Sequence, residues 1–119
     1  MIYADTDFFT ALIKEDDWLK ENAQRLMREE GVKTSLPTFI ELFLISDRFD
    51  IDLERAITDI MEISETDFDE NLVFQALEYK KKGLNTFDAF QAAKAGNRII
   101  SSDKEFDEID ITRIELEEW

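Results

Sequence analysis

The sequence predicts an α/β fold in which a central parallel sheet is covered by helices on both faces. Two observations carry that expectation. Short apolar stretches of strand type, at Ile2 to Ala4, Val32 to Ser35 and Arg98 to Ser101, alternate with longer stretches of helical periodicity. Asp5 and Asp103 stand just past the ends of two of those strands, the rim on which open parallel sheets bind their ligands. At 119 residues and 44% hydrophobic, the chain is long enough for one real core and reads as a single domain over residues 1–119.

The elements follow in order. Ile2 to Ala4 is expected as a short buried strand, with Asp5-Thr6-Asp7 turning out of its end. Phe8 to Lys14 reads as a helix. A second helix, capped by Asp16 or Asp17, runs to Glu30 with Trp18, Leu19, Ala23, Leu26 and Met27 on one face, and Gly31 stops it. After the strand from Val32 to Ser35, Pro37 opens a helix, where its missing N–H costs nothing. This helix runs to about Arg48 and is apolar nearly all round, which predicts deep burial. Asp52 starts another helix, with Leu53, Ala56, Ile57, Ile60 and Met61 on one side, and Glu62 to Glu65 forms a short strand. Asp67 and Glu70 fit a capping pair for a helix that buries Leu72, Val73, Ala76 and Leu77 and ends at Lys80-Lys81-Lys82 and Gly83. Asn85 or Thr86 caps a helix through Ala95. Strands at Arg98 to Ser101 and Ile111 to Ile114 complete the set.

Composition removes whole classes of chemistry. No cysteine means no disulfide, no thiolate nucleophile and no cysteine-type zinc site. No histidine means no Ser-His triad and no imidazole ligand. The net charge of −15 disfavours a broad nucleic-acid-binding surface and suits simple solubility. No apolar run approaches the roughly 18–20 residues that span a membrane, and the N-terminus has no signal-peptide pattern, so the cytoplasm is expected.

Four carboxylates stand among apolar residues: Asp5, Glu41, Asp88 and Asp103. A lone buried carboxylate is costly, and several together repel unless a cation lies between them. Oxygen ligands alone point to a hard divalent ion. Each acid also has a purely structural reading. Asp5 suits turn chemistry. Thr38 and Glu41 fit a capping box. Asp88 suits a helix N-terminus, and Asp103 suits the cap of a short helical turn. Asp7 and Asp107 are candidate auxiliary metal ligands, with Ser101 or Ser102 as hydrogen-bond partners of a ligand. Lys80 to Lys82 complement a helix C-terminus or touch phosphates. Trp18, Tyr3 and Tyr79 read as core or rim.

Taken together, these motifs resemble the PIN-domain nucleases. Tyr3-Ala4-Asp5-Thr6-Asp7-Phe8-Phe9 is similar to their opening strand and turn, and Phe39-Ile40-Glu41-Leu42-Phe43 to the helix carrying their glutamate. Leu84-Asn85-Thr86-Phe87-Asp88-Ala89-Phe90-Gln91-Ala92-Ala93 resembles their third acidic motif. Ile99-Ile100-Ser101-Ser102-Asp103-Lys104-Glu105-Phe106 resembles their last. The resemblance covers nearly the whole chain in the right order. It implies a three-layer α/β/α, PIN-like fold. It implies Mg²⁺ or Mn²⁺ held by Asp5, Glu41, Asp88 and Asp103, and metal-dependent cleavage of RNA as in VapC-like ribonuclease toxins of toxin–antitoxin pairs. A homodimer and a small antitoxin protein that inserts into the site are also implied.

Three rival readings compete. In a haloacid-dehalogenase-like phosphatase, Asp5 and Asp7 would form the opening acidic pair and Asp103 and Asp107 the final one, but Phe9 breaks the pattern and Glu41 has no role. A phosphoryl-aspartate receiver could use Asp5, Asp7, Thr86 and Lys104, but no apolar strand precedes Asp50 or Asp52. A catalytically inactive PIN-like module would bind a partner and have no reason to keep a costly charge cluster.

Overall fold

The computed structural model describes residues 1–14 and 17–119. Asp16, one of the two candidate caps of the second helix, lies outside the described residues. The chain forms two compact units, Met1–Phe68 and Asp69–Trp119.

The first unit runs β1 (Ile2–Tyr3), α1 (Thr6–Ile13), α2 (Lys20–Glu30), β2 (Val32–Thr34), α3 (Leu36–Ser46), α4 (Leu53–Ile63) and β3 (Ser64–Thr66). Its strands pair in the order β1-β2-β3, all parallel, with Ile2 opposite Val32 and Val32 opposite Ser64. Parallel pairing requires a crossover, and the helices supply it. Local chemistry sets the helix ends. Asp5 caps α1 and Asp52 caps α4, each accepting a backbone N–H on its side chain. Pro37 sits in the first turn of α3, and Gly31 ends α2 at φ +70°. Phe9, Phe39, Phe43 and Ile57 are fully buried, and Phe39 meets Phe68 edge-on with ring centroids 5.5 Å apart.

The second unit runs α5 (Asn71–Lys81), α6 (Thr86–Ala95), β4 (Arg98–Ser101), a 3-10 turn at Lys104–Glu108, β5 (Thr112–Glu115) and a second 3-10 turn at Leu116–Glu118. The strands β4 and β5 are parallel, with Ile99 opposite Arg113. Helices α5 and α6 pack on each other, and Val73, Ala76, Ala89 and Ala92 are fully buried. Every strand pairing in both units is thus parallel, as the α/β expectation requires. No helix among the described residues is long and apolar enough to cross a membrane.

Several expectations need correction. The strand β1 is not buried: Ile2 and Tyr3 are each about half exposed and only Ala4 is covered, because β1 stands at the end of the strand order. Trp18 lies outside α2 and is 86% exposed, and Leu26 is exposed too, so of the expected apolar face only Ala23 is buried. Burial of α3 is one-sided: Thr38, Phe39, Leu42 and Phe43 are inside while Glu41 and Leu44 face outward. The N-cap of α5 is Glu70, without a side-chain cap hydrogen bond, and not Asp67; just before it, Asp69 Oδ1 accepts the Asn71 N–H at 3.0 Å.

Candidate metal centre

The acidic end of the second unit is built by two helix starts. Asn85 caps α6: its Oδ1 accepts the Asp88 N–H at 2.9 Å while its Nδ2 donates to Asp88 Oδ2 at 3.0 Å. The cap therefore fixes both the backbone and the carboxylate of Asp88. Beyond β4, the Asp103 N–H donates to Ser101 Oγ at 2.9 Å, and Asp103 Oδ1 accepts the Glu105 N–H at 2.9 Å. The capping role read for Asp103 is real, and it still leaves the second carboxylate oxygen unspent on that turn.

These two starts bring Asp88, Asp103 and Glu105 together, with one carboxylate oxygen from each within 4.8 Å of the others. Burial pushes the Asp88 carboxyl above its ordinary range. The charge of Asp103 and a hydrogen bond with it push the same way, and only the Asn85 bond opposes them. Three carboxylates this close, Asp88 among them resisting ionisation, are a donor set that a hard divalent cation would relieve, and all the donors are oxygens, which suits Mg²⁺ or Mn²⁺. Glu105 was not anticipated. The available signal was its place two residues after Asp103 in a tight turn, and the chain's 29 acidic residues obscure any such signal.

In the first unit, Asp5 Oδ1 accepts the Asp7 N–H at 3.1 Å, so the turn reading of Asp5 also holds. Asp5 borders a groove lined by Ile2, Tyr3, Phe8 and Leu26. The Tyr3 hydroxyl shares a 2.6 Å bond with Ser35 Oγ. Next to Asp5, Thr6 is buried and its Oγ1 has no hydrogen-bond partner among the described residues. An orphaned buried hydroxyl is costly. The capping-box reading of Glu41 does not hold. Helix α3 begins at Leu36, so Thr38 lies inside it, and the Thr38 hydroxyl bonds Thr34 Oγ1 at 2.8 Å. Thr34 in turn donates to the Ala4 carbonyl at 3.0 Å, so a buried hydroxyl pair ties α3 to the residue before Asp5. Glu41 is exposed one turn further along that helix.

Of the auxiliary candidates, Asp7 is exposed in the first turn of α1. Asp107 gives both its oxygens to Arg113, at 2.9 and 3.1 Å. That fork engages the carboxylate which a metal role, or the final acidic pair of a phosphatase, would require. The lysine cluster is engaged within its own unit: Lys81 pairs with Glu78, Lys82 lies over the Tyr79 ring and near Asp110, and Lys80 donates to Thr86.

A family model described as PIN domain matches residues 2–111, a stretch that runs through both units. No curated protein and no solved structure matches the chain.

Proposed function

The chain belongs to the PIN-domain family, whose members are generally nucleases, and from that premise we propose that it is a divalent-metal-dependent endoribonuclease that cleaves RNA phosphodiesters. We place it as the toxin of a VapBC-type pair, a cytoplasmic homodimer restrained by a small antitoxin protein. The observation that carries the reading is the continuous match over residues 2–111 together with the gathered acids Asp88 and Asp103. The same continuity supports treating residues 1–119 as one working domain.

The proposed ligands are Asp5, Glu41, Asp88 and Asp103, with Glu105 added beside the last two. A bound Mg²⁺ or Mn²⁺ would polarise a phosphodiester oxygen and lower the pKa of a coordinated water. The protein's part is to hold the donors. Asn85 orients Asp88 from one side, and Ser101 takes the Asp103 amide so that its carboxylate is presented by the turn. Beside Asp5, the groove offers the exposed ring of Tyr3 and that of Phe8 as faces for a nucleobase. With a net charge of −15, affinity for RNA would depend on the ion and on stacking more than on a basic surface.

The test is cleavage of structured and single-stranded RNAs in Mn²⁺, Mg²⁺ and EDTA, with Asp5→Asn as the matched control. Cutting that needs the metal and is lost in Asp5→Asn supports the reading. A folded protein that cuts nothing and shows a flat Mn²⁺ titration overturns it and leaves the inactive partner-binding module.

A further inference from the structure

Arg113 stands on β5 with only 2% of its side chain exposed. Its Nε and Nη2 donate to the two oxygens of Asp107 at 2.9 and 3.1 Å. Its Nη1 donates to the Ser101 carbonyl at 2.8 Å and to Glu117 Oε1 at 2.7 Å. Ser101 and Asp107 bracket the turn that carries Asp103 and Glu105, so one guanidinium holds that turn at both ends. Ser101, held by its carbonyl, also receives the Asp103 N–H on its hydroxyl.

We propose that Arg113 is a positioning residue that fixes the Asp103 carboxylate for the divalent cation. This rests on the assignment of Asp103 as a ligand made above. The need for a brace is electrostatic. Asp88, Asp103 and Glu105 repel one another at these distances, and an unbraced turn would relax by swinging Asp103 outward. The planar fork of arginine can span a carboxylate and a carbonyl at once, whereas a lysine presents a single point charge and can hold one end only. Asp107 and Glu117 both accept hydrogen bonds from the Arg113 guanidinium at 2.7 to 3.1 Å, the geometry of charge-assisted bonds.

The experiment measures Mn²⁺ affinity of the full chain by calorimetry, with amide hydrogen exchange at Asp103 and Glu105, in the parent protein, Arg113→Lys, Asp107→Asn and Asp103→Asn. The expected result is that Arg113→Lys weakens Mn²⁺ binding about tenfold or more, as loss of an outer-sphere partner does, and speeds exchange at both amides. Should Arg113→Lys fail to fold, Asp107→Asn cuts the brace at one end while sparing the Ser101 bond and is read the same way. Mn²⁺ affinity within about twofold of the parent in a folded brace variant, with Asp103→Asn clearly weakened, overturns the proposal. A silent Asp103→Asn instead overturns the ligand assignment, and the proposal with it.

Discussion

The two units solve the placement of acids in different ways. In the first, an aromatic interior comes first: Phe9, Phe39 and Phe43 are fully buried, and Asp5 and Glu41 ride on the ends and outer faces of helices that this interior fixes. In the second, half of the buried helix residues are alanine, and the acids are held by polar groups addressed to them one by one, Asn85 to Asp88, Ser101 to Asp103 and Arg113 to the turn between. Packing is non-directional and fixes a backbone, so in the first unit Asp5 is oriented only by its own cap bond to the Asp7 N–H and Glu41 rides on an exposed helix face. Hydrogen bonds fix the carboxylate itself. A metal site needs the second kind of control where like charges meet, and that is where it is found.

The largest test of this contrast is Phe39→Ala. It removes a fully buried ring and its edge contact with Phe68, and should cost about 3–5 kcal/mol in denaturant unfolding. A loss below about 1 kcal/mol would mean that the first unit does not depend on its aromatic interior. A finer comparison sets two caps against each other. Asp52→Ala and Asn85→Ala each remove one N-cap acceptor and should each cost about 1 kcal/mol. Only Asn85→Ala should also weaken Mn²⁺ binding, because Asn85 alone holds a proposed ligand. Equal Mn²⁺ affinity in both variants would reduce Asn85 to an ordinary cap.

The smallest effect concerns pH. The folded Asp88 binds its proton more tightly than the unfolded chain does, chiefly through burial and then through the charge of Asp103. The fold therefore loses stability as pH rises through that pKa and regains it as pH falls. Without metal, Asp88→Asn should raise the melting temperature slightly near neutrality, and its advantage over the parent should shrink as pH falls through the raised Asp88 pKa towards the ordinary carboxylate range. Added Mn²⁺ should stabilise the parent and erase that advantage. An advantage unchanged across the range would show that Asp88 does not carry the strain.

Sequence reading was strongest where local chemistry decides. The strand Arg98–Ser101 and the helix from Thr86 to Ala95 fall where expected, since Asn85 caps the helix, Gly96 ends it and Ile99-Ile100 can only extend the chain afterwards. The failures came where tertiary context decides. An apolar run such as Phe39 to Ile45 says little about which side faces out, and Glu41 with Leu44 took the exposed side. The capping pattern put the start of α5 at Asp67, whereas the helix begins only after Glu70, because the start depends on where the preceding strand releases the chain. The acids that meet were half legible. The motif order gave Asp88 and Asp103; Glu105 follows from the tight turn after Asp103, and the brace from Arg113 exists only once β4 and β5 lie side by side.

One connection carries a further consequence. Helix α4 ends at Ile63 and β3 begins at Ser64, with no residue between them, and the Ser64 hydroxyl reaches back to the Ile60 carbonyl. A strand alternates its faces with every residue, so inserting or deleting one here would turn each side chain of β3 to the opposite side. This joint should tolerate substitutions yet reject changes of length. A library of single-residue insertions would show a gap at 63–64, and related chains would vary in length elsewhere.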